Sequence, residues 1–132
     1  MIIRTLLITT SLLFTGNVAA LSLKGDAANG KKVFESSKDT KGQLVAACTS
    51  CHGVGSTGKL PDGSAAPGEN PIIAGQYPDY LSKALHDYKN KKRANLGMQG
   101  NAGRLSEKEI SDVSVYLGTL KSKVHDLSQH KD

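Results

Sequence analysis

The 132-residue sequence predicts an all-α protein. Three segments carry apolar residues at helical spacing, no apolar–polar alternation runs beyond four positions, and the stretches between the helical segments are rich in Gly and Pro. The length suits one compact domain. With 38% hydrophobic and 22% charged residues, the chain is neither a disordered tail nor a multi-span membrane protein. Aromatic residues make up only 5%, so few large side chains fill a core, and a bulky apolar prosthetic group would supply the missing volume.

Residues 1–20 read as a secretory signal peptide. Arg4 gives a short positive start, Leu6 to Phe14 an apolar stretch, and Val18-Ala19-Ala20 a small-residue end. A retained anchor is the alternative, but the apolar part falls short of the ~20 residues needed to span a bilayer and is broken by Thr9, Thr10 and Ser11. The expectation is a periplasmic domain over residues 21–132 with no membrane span after processing. In that oxidising compartment two cysteines are normally paired or otherwise consumed.

The first helix starts at the N-cap Asp26 and runs to about Ser36, with Gly30, Val33 and Phe34 on one face. A glycine inside that pattern costs ~1 kcal/mol and marks a close crossing with another helix. Residues 53–70 hold five Gly and two Pro and must be loop. The second helix begins at Pro78-Asp79, with Tyr77, Tyr80, Leu81, Ala84, Leu85 and Tyr88 as its apolar stripe. Residues 94–104, with Gly97, Gly100 and Gly103, are expected to be irregular. The third helix opens with a capping box of Ser106 and Glu109, followed by Ile110, Val113, Leu117 and Leu120.

Both cysteines fall in Cys48-Thr49-Ser50-Cys51-His52. A C-x-x-C-H run is the attachment signature of c-type haem. Two thiols on one helical turn point the same way, so each can add across one of the two vinyl groups. His52 then brings its imidazole under the iron. A zinc site lacks a second ligand pair at finger spacing, a thioredoxin-like pair lacks a βαβ setting, and a plain disulfide leaves His52 and the thin core unexplained. For the other side of the iron, Met98 is the candidate. It is the sole methionine after residue 20 and sits among glycines that permit close backbone approach. His86 on the second helix is the alternative ligand; His125 and His130 lie in a polar tail.

Taken together, these residues resemble class I cytochromes c, and most of all one haem domain of the bacterial cytochrome c4 group. The resemblance spans Gly25 to Leu120. It rests on Gly25-Asp26-Ala27-Ala28-Asn29-Gly30-Lys31, on Cys48 to Gly53, on Pro71-Ile72-Ile73-Ala74-Gly75-Gln76, on Asp79-Tyr80-Leu81 with Arg93 downstream, and on Met98 seven residues before Leu105-Ser106. It implies a class I cytochrome c fold of three main helices, turns and long loops wrapped around one covalent haem. It also implies thioether links at Cys48 and Cys51, and His52 and Met98 as the axial pair. The carbonyl of Pro71 is implied as hydrogen-bond acceptor for the Nδ1–H of His52, and Gly30 and Tyr116 as neighbours at the crossing of the first and last helices. Two departures stand out: one haem site rather than two fused domains, and a longer loop over residues 58–70.

The expected function is one-electron transfer between respiratory or dehydrogenase partners, without catalysis, because the assigned ligands leave no open coordination position and no acid–base pair. A haem-bearing entry subunit of a larger oxidoreductase, or a haem enzyme with a displaceable sixth ligand, are the alternatives. Lys83, Lys89, Lys91, Lys92 and Arg93 form a basic stretch, read either as a solvated helix end or as a dock for an acidic redox partner. Nucleic-acid binding is not expected of a small cluster on an exported protein.

Overall fold

The computed structural model describes residues 23–68 and 70–121; the expected signal segment and the tail bearing His125 and His130 lie outside the described residues. The elements are α1 (Ala27–Glu35), α2 (Thr49–His52), a 3-10 turn (Val54–Ser56), α3 (Pro78–Lys89), α4 (Leu96–Gly103) and α5 (Glu107–Thr119). Among the described residues there is no β-sheet, only the isolated bridges Lys38–Leu44 and Lys59–Ala65 inside loops. The all-α expectation holds. No helix among them is long and apolar enough to cross a membrane.

Local signals place the three long helices. The Asp26 carboxylate accepts from the N–H groups of Ala28 at 2.9 Å and Asn29 at 3.2 Å, and Ser36 closes α1 as its C-cap. Pro78 opens α3, where its missing N–H costs nothing. Ser106 and Glu109 form the reciprocal capping box of α5.

α4 corrects the expectation of an irregular 94–104 stretch. Asn95 caps this two-turn helix, its side-chain oxygen accepting from the Met98 N–H at 2.9 Å. Three glycines lower its intrinsic helicity, but Ala102 is fully buried beneath it, so packing against the rest of the molecule overrides local propensity.

The first and last helices cross at Gly30. A Cβ there would lie 2.0 Å from the Asp112 carbonyl oxygen, so only glycine allows this approach. Beside the crossing, the Phe34 and Tyr116 rings pack with centroids 5.9 Å apart, tilted by 55°. Asp112 locks it. Its carboxylate is 1% exposed and accepts from the Asp26 N–H and from Asn29 Nδ2, both at 2.7 Å, and it is paired with Lys108. Burial opposes this charge, yet the donors from Asp26, Lys108 and Asn29 together hold the carboxyl below its ordinary value. α3 docks on α5 where Gly118 leaves room for the Pro78 ring, and the Gly75 N–H donates to the Leu117 carbonyl at 2.8 Å. Phe34, Leu81, Val113, Tyr116 and Leu117 form the core, a small one.

Candidate cofactor site

The chain folds tightly around the Cys-x-x-Cys-His run. The N–H of His52 donates to the Cys48 carbonyl at 2.9 Å, which sets the two cysteines on a single turn. Gly53, with φ of +79°, then reverses the chain. A Cβ at this position would sit 2.3 Å from the Lys59 nitrogen. The returning strand of loop donates from Gly58 N–H to the His52 carbonyl at 2.9 Å, so the histidine backbone is held on both sides.

His52 is buried, and its Nδ1 lies 2.9 Å from the Pro71 carbonyl oxygen. A carbonyl can only accept, so Nδ1 carries the proton and Nε2 keeps its lone pair. The segment bearing Pro71 is anchored in turn by Ser56, which is completely buried and accepts from the Ile73 N–H at 2.9 Å. Ser56 adopts φ of +55°, unusual for a residue other than glycine. Sequence reading missed it, because a serine in a glycine-rich loop gives no burial signal.

Cys48, Cys51, His52, Pro71 and Met98 all border one cavity of about 300 Å³. Met98 reaches it from α4, half-buried, while Leu81, Ala84 and Leu85 of α3 and Val113 and Leu117 of α5 give it apolar walls. The two cysteines are not joined to each other. Burial pushes the Cys48 thiol up, with the Arg104 guanidinium opposing. Two thiols not joined to each other on one turn, an imidazole with an oriented lone pair, a thioether, and a space with largely apolar walls are together the donor set and setting that a covalent haem requires. The residues fit that group. Among the described residues no cluster of three or more His, Cys, Asp or Glu offers the ligand set zinc would need. A second, more polar recess of about 390 Å³ touches the first at Cys48 and Leu105 and contributes no imidazole or thioether.

His86 stands apart. It does not border the cavity; its Nε2 lies 2.6 Å from Glu107 and its Nδ1 2.8 Å from the Ser82 carbonyl. The Glu107 and Ser82 contacts hold its pKa above the ordinary value. The basic stretch also divides. Lys83 pairs with Asp87, and Lys89 reaches Glu107 at 2.9 Å and the Leu105 carbonyl at 2.7 Å. Arg93 lies over the Tyr88 ring, 4.9 Å from its centroid, and is exposed, as Lys91 and Lys92 are.

The family model described as Cytochrome c matches residues 27–121. Cytochrome c4 of Pseudomonas aeruginosa is 33% identical over 115 residues, a match covering 86% of this chain and 48% of that protein. The cytochrome subunit of sulfide dehydrogenase from Chlorobaculum tepidum is 31% identical over 115 residues, covering 86% of this chain and 94% of that one. Among solved structures, reduced recombinant cytochrome c4 from Pseudomonas stutzeri superposes with a TM-score of 0.58 at 32% identity, covering 72% of this chain and 48% of that chain. The chain thus spans about half the length of the cytochrome c4 proteins it matches.

Proposed function

The chain belongs to the cytochrome c family, whose cofactor is covalently attached haem c, and on that premise we propose that it is a periplasmic one-electron carrier. In this reading Cys48 and Cys51 would hold one haem through thioether links, and His52 and Met98 would be the ligands of its iron. The observation that carries the reading is the convergence of Cys48, Cys51, His52, Pro71 and Met98, from three separate stretches of chain, on one apolar cavity.

Once bound, the haem supplies a one-electron couple between ferric and ferrous iron. The chain does the rest. His52 presents Nε2, with its ring orientation fixed by the Pro71 carbonyl. Met98 offers a soft thioether, which favours the ferrous state and raises the reduction potential. With His52 and Met98 both engaged, the iron would have no position left for oxygen or peroxide, which favours electron transfer over catalysis. Leu81, Leu85, Val113 and Leu117 keep water from the site and disfavour the extra charge of the oxidised centre. Redox proteins are the partners, with the exposed Lys91 and Lys92 as the part of the basic stretch open to an acidic surface.

A second reading has its own support. The sulfide dehydrogenase cytochrome subunit is matched over 94% of its length, which favours a bound electron-transfer subunit of a larger dehydrogenase as the alternative to a free shuttle. Stoichiometric co-purification with a dehydrogenase separates the two.

Mass spectrometry of the exported protein is expected to show one covalently added haem and a terminus at Leu21. The near-infrared band of methionine-ligated ferric haem is expected in the parent and absent in Met98→Ala. A colourless protein with unreacted thiols refutes the reading; a haem protein lacking that band refutes Met98 as ligand.

A further inference from the structure

The polar recess beside the haem cavity has donors without acceptors. α1, the loop over residues 36–45 and residues 104–109 enclose about 390 Å³. Lys32, Lys38, Arg104 and Lys108 line it against two carboxylates, Asp39 and Glu109. Both carboxylates are engaged locally. Asp39 accepts from the N–H groups of Lys41 and Gln43, each at 2.9 Å, and Glu109 accepts from the N–H and the hydroxyl of Ser106 in the α5 capping box. Of the cations, Lys108 is paired with the buried Asp112. Arg104 gives one N–H to the Ala46 carbonyl at 2.7 Å and keeps the rest of its five. The ammonium groups of Lys32 and Lys38 are exposed and have no ion pair or hydrogen bond among the described residues.

Two further features bear on what this recess takes. It meets the haem cavity at Cys48 and Leu105, whereas Lys91 and Lys92, the other exposed basic pair, border neither space. Leu44, on the loop that walls the recess, is 82% exposed and lies across an isolated bridge from Lys38. One exposed leucine means little alone. Beside unpaired cations it adds an apolar contact to a charged surface, the composition of a protein–protein interface.

We propose that this recess, with Lys32, Lys38 and Arg104 as donors and Leu44 beside them, is where an acidic redox partner seats its carboxylate side chains, next to the Cys48 edge of the haem. The proposal rests on the electron-carrier reading and specifies the docking face within it. Charge complementarity selects the occupant: spare N–H donors of fixed positive charge match carboxylates and steer their approach. The space exceeds what an inorganic anion fills, and Leu44 offers such an ion nothing. Location selects the use, since electron transfer weakens steeply with distance and this face shares a wall with the cofactor site.

The test uses the reduced haem-loaded protein, isotope-labelled for amide NMR, with poly-L-glutamate as the acidic probe. At low salt the largest shifts are expected over residues 32–48 and 104–109, returning to the free positions at high salt. Lys32→Gln/Lys38→Gln and Lys91→Gln/Lys92→Gln remove the same net charge, so any difference between them reports position. The first pair should weaken binding about tenfold and the second less than about twofold. On an electrode bearing a mixed carboxylate- and methyl-terminated monolayer, the first pair should slow interfacial electron transfer by a similar factor. Leu44→Ser, which keeps every charge, should slow it by less. None of these five residues lines the haem cavity, so the absorption spectrum and midpoint potential of each variant should match the parent.

A footprint centred on residues 91–93, or equal losses in the two double variants, overturns the recess as the dock. So do shifts that inorganic phosphate reproduces in full, which reassign the recess to a small anion. A parent protein without covalent haem overturns the carrier reading itself, and its absorption spectrum tells that failure from this one.

Discussion

Single residues decide where this chain can close. Gly30 has no tolerance for a side chain, since its Cβ would meet the Asp112 backbone at 2.0 Å. Gly30→Ala should therefore destabilise by about 3 kcal/mol, the upper end of the overpacking range, read as a lower denaturant midpoint. Asp112 predicts a pH effect. Its folded carboxyl titrates below the unfolded value of ~3.9, so its stabilisation is present above that pH and is lost as pH falls through the folded value. Asp112→Asn leaves buried donors unsatisfied and should cost about 1–3 kcal/mol at pH 7, the difference from the parent shrinking as both are acidified. Gly30 was legible in the sequence because it interrupts an apolar face; Asp112 was not. A lone acid in an amphipathic helix reads as solvent-facing, and its partner Asn29 is 83 positions away. Ser56 was hidden for the same reason, with its partner Ile73 in another loop.

At the scale of elements, the capped helices were legible and α4 was not. Asp26, Pro78 and the Ser106–Glu109 box carry their signals within one turn, and the structure places α1, α3 and α5 accordingly. In α4, Gly97, Gly100 and Gly103 argue locally for loop, and what reverses them is burial of Ala102 together with the Asn95 cap. The balance is open to test in both directions. Asn95→Ala removes the acceptor for the Met98 N–H and should cost ~1 kcal/mol. Gly100→Ala has open space around its new methyl and should stabilise by ~0.5–1 kcal/mol. Denaturant titration of the haem-loaded protein measures both, and a destabilising Gly100→Ala would mean that α4 frays in solution.

For the whole molecule, the low aromatic content foretold a core too small for its chain, and five clustered side chains around a cavity of about 300 Å³ are what the structure holds. Without the cofactor the apolar walls of that space would face water, and the margin at risk is small, since only ~5–15 kcal/mol keeps a domain folded. A Cys48→Ala/Cys51→Ala protein made without haem is therefore expected to lose its cooperative thermal transition by far-UV circular dichroism. A sharp melt near that of the loaded protein would contradict this. The Cys-x-x-Cys-His spacing made the cofactor legible from sequence, whereas the place of Arg93 in the cavity wall needed the third dimension, because only the folded chain separates it from the neighbouring lysines. The crossing at Gly30 carries a consequence for biogenesis. It joins residues 27–35 to residues 107–119, so the segment synthesised first waits for the one synthesised last. Residues 48–52, which carry the thiols, lie between those two segments and are therefore made before the crossing can close.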